Sequence, residues 1–263
     1  MTERPISAYY DEAPEIYAAV ARDRDFSAQT DVLDELVPEV TGRRRRLLEL
    51  FAGPAYHSVE AQRRGWGVTA VDSSPRMRDL ALADGFADPD AYVVGPLPDA
   101  LGLVRADEPV DCVLAARYSL GHLDRSGLDL LLAGLAPFLR SGGVVLLELH
   151  DIAMVTAGLD HLDIQVRSTR LPDGTRVRCH WPDGPMDWRS DDHVVRMPVR
   201  IEVTTTDGRQ HALRYLSTEH VHSAAETAYM AARHGLRTRT RSPEPDELGA
   251  AFPGAVVLVL EKE

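Results

Sequence analysis

Two carboxylates lie on neighbouring predicted strands, and the second, at the end of its strand, is placed to bind a pair of sugar hydroxyls. Glu49 lies in the short apolar run Leu47–Phe51, and Asp72 follows a second run, Val68–Val71. The interval between them is close to the ~20 residues at which nucleotide-binding folds place a carboxylate on ribose. The predicted chemistry is therefore the binding of a nucleoside or a related ligand.

The segment between these carboxylates has the pattern of a turn followed by a helix. Ala52–Ala55 are small or turn-forming, Tyr56–Arg64 mixes apolar with polar residues, and Gly65 stands where a helix usually ends. Strand, helix and strand make one βαβ unit, in which backbone N–H groups and a helix N-terminus face the ligand. His57, in the first turn of this helix, is expected to bind or pack there.

Two stretches of this unit resemble the class I S-adenosylmethionine-dependent methyltransferases. With Glu49 on the family's acidic residue, Phe51, Gly53 and Ala55 occupy the positions of its Gly-x-Gly-x-Gly loop, so only the middle glycine is kept. Residues 71–77, Val-Asp-Ser-Ser-Pro-Arg-Met, are similar to the family's Asp-x-Ser-Pro-x-Met stretch. The resemblance implies a Rossmann-like seven-stranded α/β fold that binds S-adenosyl-L-methionine.

The resemblance also implies which residues bind the cofactor. The Tyr-Tyr-Asp…Tyr pattern of residues 9–17 is similar to a lid in the family, although these tyrosines could equally seal helices on the core. Pro96 replaces an acidic residue that contacts adenine, so backbone groups near Pro96 and Leu97, or Asp99, are expected to bind the base. The predicted cofactor-binding residues are Tyr17, Glu49, Phe51, Ala52, Gly53, Asp72, Ser73, Met77, Pro96, Leu97 and Ala116.

Four residues are candidates for the chemistry of methyl transfer. Displacement at a sulfonium requires mainly binding and orientation, and a base is needed only when the acceptor is a protonated hydroxyl or ammonium. His150 follows the fifth predicted strand, and Arg117, Tyr118 and His122 follow the fourth, in a turn resembling the family's Ser-Leu-x-x-Leu. The alternatives are a structural histidine and an Arg117 that only pairs with a nearby aspartate.

The rest of the chain is predicted to complete the core sheet around an insertion. Three Asp-Gly pairs between alternating runs, beginning at residues 173, 183 and 207, predict hairpins of an antiparallel sheet. We predict an N-terminal helical lid (1–45), a Rossmann-like core (46–159 and 219–263) and an inserted antiparallel β region (160–218) that covers the substrate or forms a dimer. The predicted core strands are Leu47–Phe51, Val68–Val71, Ala91–Val94, Asp111–Ala116, Val144–Leu149, Leu236–Arg241 and Val256–Glu261.

Composition restricts the partners and the compartment. A net charge of −12 argues against nucleic acid or an anionic membrane as the main partner. Cys112 and Cys179 cannot form a disulfide framework, no zinc-ligand spacing occurs, and no metal is expected. There is no apolar run long enough to span a membrane. Lys262 is the only lysine among 29 basic residues, which suggests a GC-rich bacterial genome, and we expect a cytoplasmic protein.

The predicted function is methyl transfer from S-adenosyl-L-methionine to an N or O atom of a small molecule in secondary metabolism, with homodimerisation through the inserted region. A non-catalytic methyltransferase-like subunit is an alternative, suggested by the altered glycine loop and by Pro96. A fold relative that uses the cofactor for a non-methyl reaction is another. An NAD-dependent oxidoreductase fits less well, because residues 72–77 have no role there.

Overall fold

The computed structural model describes residues 4–39, 41–105, 108–160, 166–239 and 245–263. These residues form two compact units. The core unit comprises Asp25–Asp151 and His222–Glu263, and the insertion unit comprises Met1–Arg24 and Ile152–Val221.

The described residues contain thirteen strands and nine α-helices. The strands are β1 (Arg4–Pro5), β2 (Arg46–Leu50), β3 (Gly67–Asp72), β4 (Tyr92–Val94), β5 (Val110–Ala115), β6 (Leu139–His150), β7 (Val166–Arg170), β8 (Arg176–His180), β9 (Asp187–Arg189), β10 (Val194–Thr204), β11 (Gln210–His220), β12 (Leu236–Thr238) and β13 (Ala255–Lys262). The helices are α1 (Ser7–Glu12), α2 (Pro14–Val20), α3 (Phe26–Leu36), α4 (Tyr56–Arg63), α5 (Pro75–Ala83), α6 (Arg125–Leu135), α7 (Ile152–Asp160), α8 (Ala224–Ala232) and α9 (Pro245–Ala251).

The core unit is built on a seven-stranded sheet with the order β12-β13-β6-β5-β2-β3-β4. Strands β2 to β6 are parallel, whereas β13 is antiparallel to both β6 and β12. The order reverses between β2 and β5, and sheets of this kind bind ligands beyond the carboxyl ends of the strands at such a reversal. The predicted Rossmann-like seven-stranded fold is confirmed.

Apolar residues explain why the core strands and helices form where they do. Every residue of β5 is buried, as expected for a parallel strand covered on both faces. Helix α6 buries the four leucines that lie at helical spacing, and the Asp124 carboxylate accepts the Gly127 N–H (2.7 Å) as its N-cap. The next leucine at this spacing, Leu139, lies outside the helix, because it begins β6 and pairs with Val110. The buried leucines are Leu128, Leu131, Leu132 and Leu135.

The insertion unit is an antiparallel sheet with the order β1-β11-β10-β8-β7, in which β9 also pairs with β10 and β1 runs parallel to β11. The Asp-Gly turns at 173 and 207 form the β7–β8 and β10–β11 hairpins, as predicted. The hairpin predicted at Asp183 is wrong, because β8 and β9 both pair with β10 and not with each other. The Asp183 carboxylate instead accepts hydrogen bonds from Arg200.

The N-terminal segment divides between the two units, which differs from the predicted single piece 1–45. Tyr9 is buried against Tyr215, with ring centroids 5.2 Å apart, so α1 packs on the inserted sheet. Helix α3 contacts α4 and α9 and belongs to the core unit. Residues 161–165 of the predicted inserted region and the end of the predicted strand Leu236–Arg241 lie outside the described residues. Within the described ranges, no helix is long and apolar enough to cross a membrane.

Candidate active site

The turn that follows β2 has a left-handed backbone at alternate residues. The φ angles are +51° at Phe51, +52° at Gly53 and +55° at Ala55. A left-handed conformation costs a residue with a side chain about 1–2 kcal/mol, whereas glycine adopts it freely. These are the three positions aligned with the family's Gly-x-Gly-x-Gly loop, and at two of them a residue with a side chain adopts a conformation that glycine adopts without strain.

Asp72, the last residue of β3, is tied to this turn. Its Oδ2 accepts the Gly53 N–H (2.8 Å) and its Oδ1 accepts the Ser74 N–H (2.9 Å). Burial raises the pKa of the Asp72 carboxyl above its usual range, while the two N–H donors and the nearby His122 partly oppose that shift. Because a carboxylate offers about four acceptor positions, Asp72 retains capacity for hydroxyl donors.

The peptide groups of Gly53 are held on both sides. Asp72 accepts its N–H, and the Tyr92 hydroxyl donates to its carbonyl oxygen at 2.5 Å. The Ala52 N–H also donates to the Val71 carbonyl (3.0 Å). Tyr92 was missed from the sequence because nothing in a three-residue strand indicates which distant carbonyl its hydroxyl reaches.

Glu49 is buried beneath the turn, and both of its oxygens have partners within the protein. Its Oε2 accepts the Ser58 N–H (2.9 Å), and its Oε1 lies 2.9 Å from His57 Nδ1. His57 Nε2 lies 2.8 Å from Gln29 Oε1, and Gln29 Nε2 donates to the Ala251 carbonyl at 2.9 Å. The carbonyl can only accept, so the Gln29 amide nitrogen faces it and His57 Nε2 donates to Gln29 Oε1.

This series of contacts links β2, α4, α3 and α9. We call it the loop anchor, and it consists of Glu49, His57, Gln29 and the Ala251 carbonyl. Glu49 was predicted to be a cofactor-binding residue. In the structure its Oε2 accepts an N–H in the first turn of α4, where an acidic group is also favoured by the helix dipole. Glu49 thus holds the start of α4 next to the turn after β2, whereas Asp72 is partly exposed at the edge of that turn.

A second strained turn follows β5. Arg117 and Tyr118 have φ angles of +60° and +57°, so two consecutive residues with side chains are left-handed. Such residues cost about 1–3 kcal/mol each and persist only where surrounding contacts hold them. Glu148, fully buried in β6, accepts the Arg117 N–H at 2.7 Å. Sequence reasoning missed Glu148, although a single acid within the apolar run Val144–Leu149 was the available signal.

Three of the four candidate catalytic residues make ring contacts within the core unit, and the fourth, Arg117, lies next to one of them in the turn after β5. The rings of Tyr118 and His150 stack with centroids 4.5 Å apart and planes 10° apart. The exposed His122 lies near Phe51, with centroids 6.3 Å apart. Phe51 also packs against the main apolar cluster of the core unit. Ser119 follows Tyr118 in the sequence. Its hydroxyl is buried and has no hydrogen-bond partner among the described residues.

The remaining predicted cofactor residues differ in exposure. Ser73 is exposed beside Asp72, and Leu97 packs on the apolar core. Pro96 is exposed, but its carbonyl accepts the Ala100 N–H (2.8 Å), so that oxygen is already engaged in a turn. Tyr17 belongs to the insertion unit and contacts Tyr9 edge-on, with centroids 5.6 Å apart. The buried members of the set are Ala52, Met77 and Ala116.

Comparison with solved structures identifies the fold. CalS10 from Micromonospora echinaspora, an amino pentose methyltransferase of calicheamicin biosynthesis solved with S-adenosylmethionine, aligns with a TM-score of 0.68 at 16% identity, over 94% of this chain and 95% of that chain. DesVI from Streptomyces venezuelae aligns at 0.70 and 19% identity over 100% of both chains. KedS8, a sugar N-methyltransferase from a Streptoalloteichus species, aligns at 0.68 and 16% identity, over 100% of this chain and 94% of that chain. Neither a protein-family model nor a curated protein sequence matches this chain. The chain has the fold of the class I methyltransferases.

Proposed function

We propose that this protein transfers a methyl group from S-adenosyl-L-methionine to an amino or hydroxyl group of a small molecule in secondary metabolism. The single observation that carries the proposal is the Asp72 carboxylate at the carboxyl edge of β3, which accepts the N–H of Gly53 from a turn that is left-handed at residues 51, 53 and 55. The neighbours that act on an amino pentose and on a sugar nitrogen favour an amine-bearing acceptor.

The residues around Asp72 fit an adenosine ligand. Two vicinal hydroxyls need two acceptor oxygens, and each Asp72 oxygen receives only one backbone N–H in the contacts described above. Backbone groups of the turn and the start of α4 would face the ligand, as in other nucleotide-binding βαβ units. The bound cofactor would supply an activated methyl group on sulfur, so the protein need only bind, orient and exclude water.

The residues proposed to prepare the acceptor lie after β5 and β6. An ammonium must lose a proton before its nitrogen can attack, and an imidazole is suited to accept that proton. His150, held by stacking on Tyr118, and the exposed His122 are the candidate bases. Arg117 would orient an acceptor that carries an anionic group, because its guanidinium binds such groups in a forked geometry.

The alternative of a non-catalytic subunit loses its main argument. It rested on the missing glycines, yet Phe51 and Ala55 retain the left-handed conformation for which glycine is usually selected. A degenerate loop under no functional demand would have little reason to keep this strain. Methyl transfer is therefore favoured over loss of function.

The proposed partners are a small-molecule acceptor and a second copy of the chain, joined through the inserted β region. The net charge of −12 disfavours nucleic acid as a substrate. Analytical ultracentrifugation would test the homodimer, and a single species at the mass of 29.0 kDa would reject it.

Two measurements test the proposed function. Calorimetry with S-adenosylhomocysteine should give one site per chain with a dissociation constant on the order of micromolar, near the usual range for enzyme ligands. A panel of amino sugars with methyl-labelled S-adenosylmethionine should then yield a labelled product. Absence of cofactor binding would reject methyl transfer, whereas binding without labelled product from any acceptor would favour a non-methyl reaction.

A further inference from the structure

The outer face of the inserted sheet is rich in arginine, although the whole chain has a net charge of −12. Its opposite face is the apolar one on which α1 and α2 pack. Strand register orders the outer arginines in rows, because paired residues on neighbouring strands share a face. Arg200 pairs with Arg214, Arg178 with Glu202, and Arg170 with Arg176.

In two of these rows, acidic groups neutralise the arginines. The Asp183 carboxylate accepts from Arg200 Nε at 2.8 and 2.9 Å, and Arg214 Nη1 lies 3.3 Å from Asp183 Oδ2. Glu202 Oε2 lies 3.6 Å from Arg178 Nη1. Three of the five arginines therefore have a carboxylate partner.

The third row has no acid. It runs across four strands as Arg170, Arg176, Thr204 and Gln210, and we call it the arginine row. Both arginines are exposed, and neither forms an ion pair with any residue that the structure describes. Like charges directly opposite one another destabilise a sheet, so this arrangement is unfavourable unless an anion binds.

The aspartates of the adjacent turns are engaged elsewhere. Asp173 accepts the Thr175 N–H (2.9 Å) and its hydroxyl (3.0 Å). Asp207 accepts the Thr205 hydroxyl (2.5 Å) and pairs with Arg209 at 2.9 Å. These contacts stabilise the two hairpin turns, so neither of these aspartates pairs with an arginine of the arginine row.

A groove of about 970 Å³ lies over the arginine row and is also lined by Ser168, Arg178 and Glu202, whose carboxylate lies near Arg178. Its volume is at the upper end of the range for small-molecule sites, roughly 300–1,000 Å³, and exceeds what one inorganic ion needs. Guanidinium groups bind phosphate oxygens through paired N–H donors, and the Thr204 hydroxyl and Gln210 amide add neutral donors. We propose that the arginine row binds the phosphoryl group of a phosphorylated small molecule.

This site lies wholly on the insertion unit and does not depend on methyl transfer. Calorimetry of the full chain at fixed ionic strength should show saturable binding of pyrophosphate and of glucose 1-phosphate, with one site per chain. Glucose 1-phosphate should bind at least threefold more tightly than inorganic phosphate, because the groove has room for the sugar. Equal affinities would overturn the assignment to a phosphorylated small molecule, and lack of saturable binding would overturn the site.

Matched variants distinguish a specific anion-binding site from a general effect of positive charge on binding. The double change Arg170→Gln and Arg176→Gln should weaken pyrophosphate binding at least tenfold. The control, Arg189→Gln with Arg196→Gln, removes the same charge from the same unit at arginines that are 53% and 47% exposed, and should change binding less than twofold. Equal weakening in both would overturn the proposal. Arg170→Lys with Arg176→Lys keeps the charge and should still weaken binding at least threefold if the forked geometry matters.

Folding of the variants is checked independently. All four arginines are exposed, so the midpoint of thermal unfolding should stay within a few degrees of that of the unaltered chain. In the unaltered chain, the side-chain Nε–H signals of Arg170 and Arg176 should shift on addition of pyrophosphate while those of Arg189 and Arg196 stay in place. Shifts of equal size at all four would contradict a specific site.

Discussion

The Nδ1 atom of His57 lies 2.9 Å from Oε1 of Glu49, and the two side chains are only 3% and 4% exposed. A buried carboxyl group is stable only where hydrogen-bond partners satisfy it, and the partners of this one are His57 and the Ser58 N–H. Glu49 therefore depends on the rest of the loop anchor, and the turn above it depends on Glu49.

Removing a member of the loop anchor should weaken both stability and cofactor binding. His57→Ala leaves the Glu49 carboxyl group without one of its two hydrogen-bond partners, and we expect the free energy of unfolding to fall by about 2–4 kcal/mol. The affinity for S-adenosylhomocysteine should fall about tenfold, measured by calorimetry. Gln62→Leu on the same helix is the control, because the buried Gln62 Oε1 has no partner among the described residues and its loss should be harmless. Equal damage from both changes would show that helix packing alone is responsible.

Replacing Asp72 should abolish cofactor binding at a limited cost in stability. Asp72→Ala removes the acceptors for two ribose hydroxyls, each worth about 1.5–3 kcal/mol, so affinity for S-adenosylhomocysteine should fall at least 100-fold. The Gly53 and Ser74 N–H groups also lose their acceptor, which should lower the free energy of unfolding by about 1–3 kcal/mol. Calorimetry and denaturant unfolding measure the two effects. Asp79→Ala, at an exposed position of α5, should change neither.

The raised pKa of Asp72 predicts opposite pH effects on binding and on stability. Ribose hydroxyls need the ionised carboxylate, so cofactor affinity should decline as pH falls, beginning above the usual aspartate range near ~3.9. In the free protein, a raised pKa means that the folded state holds the proton more tightly than the unfolded state. The contribution of Asp72 to stability is therefore present at low pH and is lost as pH rises through its folded-state pKa. Affinity that stays constant down to pH values near 3.9 would contradict this assignment.

Glycine at residue 55 should be tolerated, whereas glycine at residue 61 should not. Ala55 and Ala61 are both fully buried, but only Ala55 has a positive φ, of +55°. At Ala55 the relief of about 1–2 kcal/mol of backbone strain offsets the lost methyl burial and the greater freedom of the unfolded chain. Ala55→Gly should thus leave the free energy of unfolding within about 1 kcal/mol, and Ala61→Gly should lower it by about 1.5–2 kcal/mol. Urea unfolding of the pair measures the difference.

Replacement of the two candidate bases should lower kcat to different extents. For an acceptor that must lose a proton, His150→Ala should lower kcat about 100-fold with little change in cofactor affinity, as expected for loss of a general base. His122→Ala should have a smaller effect on kcat, because this exposed histidine packs on Phe51 and is not fixed by stacking on Tyr118. Full activity of the His150 variant, with any amine acceptor that the unaltered protein methylates, would reject this base assignment.

Much of the core unit could be predicted because its strands are covered on both faces and appear as continuous apolar runs. The Asp-Gly turns at 173 and 207 likewise predict local hairpins, whereas the pair at 183 joins strands that pair elsewhere. The positions of Asp72 and of the turn after β2 followed from residue types and spacing. The contacts of Glu49 did not, because its partners Gln29 and Ala251 are brought together only by the packing of α3 and α9.

Arg4 of β1 pairs with Tyr215 of β11, so two strands that are far apart in the sequence, and are synthesised at different times, lie side by side. The insertion unit draws its first strand from the start of the chain and its other strands from residues 166–220, with most of the core unit encoded between them. Until β11 has been synthesised, β1 lacks its partner strand and Tyr9 lacks the Tyr215 ring that stacks on it. A nascent chain halted before residue 210 would therefore leave part of this N-terminal segment uncovered, as a surface that chaperones can bind.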